Sequence, residues 1–218
     1  MTFALLDTNA LIPARLADIL FDCAGLGMYF PRWTQAIENE FVNNWGEVCS
    51  HVSKINRRAR KRANLPPQQE HVALARHRLS RFRSAVGREW EVVGYDDDDV
   101  VRRVPVDVDE TDIPHVAACI VLLDALSEEA GSSKVFLISN NVKDLAVQGC
   151  ALIGVEVLTP GQFLDALLSA DPLRTERALK QSLIDLKHFN FDNLIDVLKT
   201  HKARKAAGYM AKLACQPG

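Results

Sequence analysis

Three features of the 218-residue sequence predict an α/β fold built on a parallel sheet. Short apolar runs at 3–6, 134–138 and 155–158 have the length of buried strands. Segments with helical periodicity separate them, the alternation that places helices over the faces of a parallel sheet. Beyond Thr159-Pro160-Gly161 no strand signal remains, so a helical C-terminal appendage is expected. The predicted organisation is an α/β domain over 1–159 and a helical region over 160–218.

The first strand, Phe3 to Leu6, ends directly on Asp7-Thr8-Asn9. A helix follows, its stripe formed by Leu11, Ile12, Leu16, Ile19, Leu20 and Cys23 and closed by Gly25 and Gly27. Met28 to Phe30 reads as a short second strand that Pro31 ends, and 34–49 reads as a helix. Asn64-Leu65-Pro66-Pro67 divides the next stretch into two helices, the second over 68–86, which are expected to project as a hairpin. Val92 and Val93 suggest a strand, and the Asp run after Tyr95 a loop. A long apolar helix is expected over 114–126, then the strand 134–138, a loop at Ser139-Asn140-Asn141, a short helix at 142–146 and the strand 155–158. In the tail, stripes at Phe163/Leu164/Leu167/Leu168, Leu179/Leu183/Ile184/Leu186, Leu194/Ile195/Val197/Leu198 and Tyr209/Met210/Leu213 mark successive helices.

An apolar fraction of 48% supplies a core for a chain of this length. No apolar run approaches the roughly 20 residues of a membrane span, and the N-terminus enters a strand with no basic leader, so a cytoplasmic location is expected. Cys23, Cys49, Cys119, Cys150 and Cys215 are widely spaced and form no zinc pattern, which predicts reduced packing residues. Net charge is −2 but uneven along the chain. From Lys54 to Arg88, Glu70 is the only acid among many basic residues, Arg57, Arg58, Lys61 and Arg62 included. The stretch that follows is acidic, with Asp96 to Asp99, Asp107, Asp109, Glu110 and Asp112.

Four acids are placed to converge. Asp7 follows a strand, which sets it at the carboxyl edge of the sheet, where open α/β folds bind ligands; an Asp-Thr-Asn turn capping the next helix accounts for it equally well. At about 100° per residue, Trp33, Ile37, Phe41 and Asn44 share one side of the helix from Thr34, and Glu40 points along that stripe, where a carboxylate needs a metal or an Arg. Glu38 falls nearer the edge, beside Trp45, and is expected to be solvated. Asp112 precedes the first turn of the helix over 114–126 and Asp144 follows Asn141 by three residues, so both also suit helix starts. Such acids repel one another without a cation, and hard oxygen ligands favour Mg2+ or Mn2+ over zinc. His115, among Ala and Val, is expected to be a packed or capping residue. A basic surface beside an acidic metal centre is what cutting a polyanion requires.

Leu5-Leu6-Asp7-Thr8-Asn9, Trp33-Thr34 with Ile37 and Glu40, Asp112-Ile-Pro-His-Val-Ala-Ala and Ile138-Ser139-Asn140-Asn141-Val-Lys-Asp144 together resemble the successive motifs of the PIN-domain ribonucleases. The closest likeness is to VapC-type toxins of toxin-antitoxin systems, in a longer subgroup whose likeness extends through Val155 to Phe163 into the helical tail. The resemblance implies a PIN-like fold over 1–159 and a metal-dependent endoribonuclease leaving a 3′-hydroxyl. It makes Asp7, Glu40, Asp112 and Asp144 the metal-binding acids, supported by Thr8, Asn9, Ser139 and Asn141, and it implies Mg2+ or Mn2+ as cofactor. The partners expected are an RNA substrate held by Arg57, Arg58, Lys61 and Arg62, a cognate antitoxin, and a second copy of the chain. Two departures stand out. Ser139-Asn140-Asn141 replaces the usual Thr-Arg-Asn, and one extra residue before His-Val-Ala leaves Asp109 or Glu110 as alternatives to Asp112. A phosphotransferase with Asp7 as nucleophile would call for a second acid where the chain has Asn9. A catalytically silent RNA-binding module is the other alternative.

Overall fold

The computed structural model describes residues 1–49, 69–127, 134–184 and 190–215, the side chains of 45–49 and 88 excepted. Its centre is a four-stranded sheet, β1 (Thr2–Leu6), β2 (Phe30–Arg32), β3 (Lys134–Ile138) and β4 (Val155–Leu158), ordered β2-β1-β3-β4 and parallel throughout. This is a Rossmann-like arrangement, as the alternation of strands and helices predicts. β1 and β3 are interior strands, and Ala4, Leu5, Leu6, Leu137 and Ile138 have no exposed surface. Such unbroken apolar runs suit strands covered on both faces.

After β1 the chain moves to β2 on one side; after the intervening helices it returns to β3 on the other. The connections therefore diverge between the carboxyl ends of β1 and β3, the crevice where open α/β sheets take ligands.

The first helical segment is two helices, α1 (Thr8–Leu11) and α2 (Ala14–Gly25). The break falls at Pro13, which supplies no backbone N–H to continue α1. β2 lies two residues later than expected, with Pro31 inside it and paired opposite Ala4. Proline is tolerated there because β2 is an edge strand. The strand expected at Val92 and Val93 shrinks to one bridge, Trp33 with Glu91, supported by Val92 N–H to Trp33 O at 2.9 Å.

Helix α3 (Gln35–Cys49) and helix α4 (Gln69–Val86) follow. The expected hairpin partner of α4 lies outside the described residues. α4 itself packs down through Ala75, Leu79 and Phe82, with Phe82 stacked on Phe21 at 4.3 Å. An i, i+4, i+7 stripe of this kind holds a helix on a core, so α4 does not project.

A short turn of helix, α5 (Asp98–Val101), leads to α6 (Ile113–Ser127), whose residues 116–119 are fully buried. The helix expected at 142–146 is instead a run of turns ending at Ala146, which is left-handed (φ 43°), and α7 spans Val147–Leu152. Thr159 caps α8 (Pro160–Ala170) reciprocally with Gln162, with Pro160 in the first turn where its missing N–H costs nothing.

Helices α9 (Pro172–Ile184), α10 (Phe191–Thr200) and α11 (Arg204–Ala214) complete the chain. Phe163 of α8 sits against Phe136 of β3 at 5.3 Å and edge-on to Tyr29 at 4.9 Å, so the C-terminal helices share the core of the sheet. Cys23, Cys119 and Cys150 are buried free thiols. Burial pushes Cys23 up to about 12 and Cys150 up to about 11, as expected of inert packing residues. Among the described residues no helix is long and apolar enough to cross a membrane.

Candidate metal centre

The backbone of Asp7 extends the β1–β3 ladder by one bond, its N–H donating to Ile138 O at 3.0 Å. Its carbonyl then accepts from Ala10 and Leu11, which makes it the N-cap residue of α1, yet its carboxylate caps nothing. The side chain turns into the crevice instead. Its Oδ2 accepts from Ser139 Oγ at 2.6 Å and from Asn9 Nδ2 at 3.2 Å. Ser139 stands at the end of β3, next to Asp7 because β1 and β3 are paired in register. Its hydroxyl also accepts from the Asn141 N–H at 2.9 Å, which holds the loop after β3 against the site.

α3 brings Glu40 to the same crevice, where Thr8 Oγ donates to Glu40 Oε2 at 2.8 Å. The helical reading of α3 is corrected in one respect. Trp33, Ile37 and Phe41 are buried as expected, but Glu38 is the buried acid, 2% exposed, while Glu40 is exposed. Glu38 is neutralised by Arg83 of α4, which pairs with both carboxylate oxygens, and it accepts from Trp33 Nε1 at 2.9 Å. Arg83 lies 45 positions away in sequence, so a helical wheel drawn on α3 alone could not contain it.

Asp112, immediately before α6, and His115 in its first turn are both buried. Asp112 Oδ1 lies 3.3 Å from His115 Nδ1, and Asp112 Oδ2 accepts from Asn141 Nδ2 at 3.2 Å. The far ring nitrogen, Nε2, faces Asp7 Oδ1 at 3.9 Å. Burial opposes charge on this imidazole. The hydrogen bond to Asp112 and the negative charges of Asp7, Asp112 and Glu40 outweigh it, so His115 titrates above the ordinary histidine value.

Asp7, Glu40 and His115 each offer one ligand atom, and these atoms lie within 4.8 Å of one another. Two carboxylates and an imidazole at that spacing can hold a divalent cation. Asp7 is almost fully buried, which sharpens its need for a positive partner.

The remaining predicted residues are placed around this trio. Asp112 joins it through His115. Asp109 is exposed and spends one oxygen on Thr111, accepting from its N–H at 3.0 Å and its hydroxyl at 2.7 Å, and Glu110 is exposed too. Of the three acids considered at this position, Asp112 is the one directed at the crevice. Asp144 lies outside the trio, exposed in the turns after Asn141, where its carbonyl accepts from Asp109 N–H at 3.1 Å. Arg57, Arg58, Lys61 and Arg62 lie outside the described residues.

His115 was expected to be merely packed or capping. The overlooked signal is its spacing: three residues after Asp112, it shares a helix face with an acid already assigned to the site.

Two arginines of α4 within the basic stretch are committed elsewhere. Arg83 holds Glu38, and its guanidinium lies over the Trp90 ring at 4.7 Å. Arg78, 8% exposed, pairs with Asp18, donates to Ala14 O at 3.0 Å and lies over Phe82.

Set against known protein families, curated proteins and solved structures, the chain matches no family model, no curated protein and no solved structure.

Proposed function

We propose that this chain is a divalent-cation-dependent endoribonuclease of PIN type, the toxin of a VapBC-like toxin-antitoxin pair, hydrolysing RNA phosphodiester bonds. The observation that carries this reading is the convergence of Asp7, Glu40 and His115 at the carboxyl edge of β1 and β3. Residues from each motif of the PIN resemblance support it, since Asp7, Ser139, Asn141, Asp112 and Glu40 are joined by hydrogen bonds or by the cluster itself, while Asp144, the fourth acid of the resemblance, stands outside the cluster.

When bound, Mg2+ or Mn2+ supplies charge at the scissile phosphate and acidifies the water beside it. Asp7 and Glu40 hold the cation, and Ser139 and Thr8 fix the orientation of their carboxylates. Glu40 is exposed, so that side of the centre is open to a polymeric strand, as cutting within a chain requires. Arg57, Arg58, Lys61 and Arg62 bind backbone phosphates, which positions RNA without selecting its sequence. The antitoxin and a second copy of the chain belong to the same reading.

The test uses purified protein, single-stranded RNA and added Mg2+ or Mn2+. Internal cleavage is expected, abolished by chelation and by Asp7→Asn with the circular dichroism spectrum unchanged. RNA binding with no metal-dependent cleavage would establish the silent module instead. Growth arrest on expression, relieved by the gene encoded beside it, tests the toxin assignment. Cleavage without arrest would leave a nuclease that is not a toxin.

A further inference from the structure

The acids of the centre do not stand alone, because a nitrogen donor is built into it with its own support. His115 is 8% exposed and carries two inequivalent ring nitrogens. Nδ1 is tied to the Asp112 carboxylate at 3.3 Å, an acceptor that calls for a proton on Nδ1, and Nε2 faces Asp7 Oδ1 at 3.9 Å, where a cation that displaces its proton would find a lone pair. Asp112 is itself held, its second oxygen accepting from Asn141 Nδ2. A chain of carboxylate, imidazole and cation is the arrangement by which proteins orient a histidine ligand and raise its basicity. Both oxygens of Asp112 are engaged in that support, whereas His115 is the α6 residue whose free donor atom belongs to the trio.

We propose that His115 is the nitrogen ligand of this centre, that Asp112 is its positioning residue and not a ligand, and that the site therefore prefers a first-row transition-metal cation over Mg2+. This rests on the metal-centre part of the function proposed above and not on RNA cleavage. Imidazole suits the transition metals, while Mg2+ is best served by carboxylates and water. A set of one imidazole and two carboxylates accepts both kinds but separates them through the nitrogen. The cation preference thus depends on a single side chain.

The full-length protein is titrated with Mn2+ alone and with Mg2+ alone by calorimetry, and its Mn2+ form is examined by pulsed electron paramagnetic resonance. The spectrum is expected to show modulation from an imidazole nitrogen, lost in His115→Gln. Asp112→Asn should weaken Mn2+ binding about ten- to hundredfold, the range found for outer-shell partners of histidine ligands. His115→Gln should weaken it at least as much, and both variants should weaken Mg2+ less than they weaken Mn2+. Asp7→Asn should weaken both cations. Thermal melts of the metal-free variants verify that each is folded, and His115→Asn serves as a second variant if His115→Gln is not. The inference is overturned if the nitrogen modulation is missing from the wild type or survives in a folded His115 variant. It is overturned equally if Asp112→Asn weakens Mg2+ as severely as Asp7→Asn, which would make Asp112 a ligand. Mg2+-dependent RNA cleavage persisting alongside those results would defeat this inference and leave the nuclease reading standing.

Discussion

Glu38 shows how a buried charge is held in this protein without a metal. Its carboxylate is 2% exposed and takes two donors from Arg83 and one from the Trp33 indole. Removing one partner of a buried ion pair is far costlier than the pair is worth, because the survivor keeps its desolvation penalty. Arg83 is about half exposed, which moderates the effect. Arg83→Ala should cost about 2–3 kcal/mol, and Glu38→Gln, which keeps an acceptor for the indole and leaves the exposed arginine to water, about 1 kcal/mol. Urea denaturation of both variants checks the order; equal costs would mean that Arg83 is a surface charge and Glu38 is satisfied without it. At this scale the sequence was informative where chemistry is local and silent where it is not. Asp7 and Ser139 were legible because each closes a recognisable strand, and paired strand ends meet. The exchange of roles between Glu38 and Glu40 was not, because periodicity says which face of α3 is apolar and nothing about the arginine another helix delivers there.

Among the elements, the C-terminal helices depend on one close approach. A Cβ built on Gly161 would lie 2.0 Å from His201 O and 2.7 Å from Ala203 N. The first turn of α8 therefore touches the backbone that joins α10 to α11, and at Lys202 that backbone is left-handed (φ 61°). The same joint carries a remote cap, since Ala203, the N-cap residue of α11, offers no side-chain cap of its own. Asp165 of α8 supplies it, accepting from the N–H groups of Lys205 at 3.1 Å and Ala206 at 2.9 Å. A carboxylate there also suits the positive end of the helix dipole. Gly161→Ala should push α8 away from this joint and cost about 3 kcal/mol, the upper range for overpacking, since backbone cannot rotate aside as a side chain would. Amide hydrogen exchange would report it as reduced protection in α10 and α11 with β1 and β3 unaffected. A uniform reduction would mean that the helices are not a separately yielding unit. The helices themselves were readable from their apolar stripes, and β3 and β4 from their apolar runs. The joint was not, because a glycine's role in a close approach depends on what comes near it.

Across the whole molecule, net charge says little about binding polyanions, and the fate of each cation says more. Arg78 and Arg83 belong to the basic stretch of the sequence but are used internally, paired with Asp18 and Glu38 and laid over aromatic rings. A phosphate would have to displace those partners. If the proposed nuclease holds RNA through this stretch, the densest run of basic residues within it is 57–62, five of six positions, among them the four expected to bind RNA, Arg57, Arg58, Lys61 and Arg62. Changing these four together to Gln should weaken single-stranded RNA binding and flatten its dependence on salt, by roughly 0.7 in the slope of log K against log salt for each phosphate no longer neutralised. Mn2+ affinity should stay at the wild-type level. Arg78→Gln supplies the contrast, because its guanidinium anchors α4 to α2: stability should fall by about 2 kcal/mol with the salt slope unchanged. A slope that responds to Arg78→Gln and not to the fourfold variant would move the RNA-binding surface onto α4 and leave residues 57–62 as a solvated face.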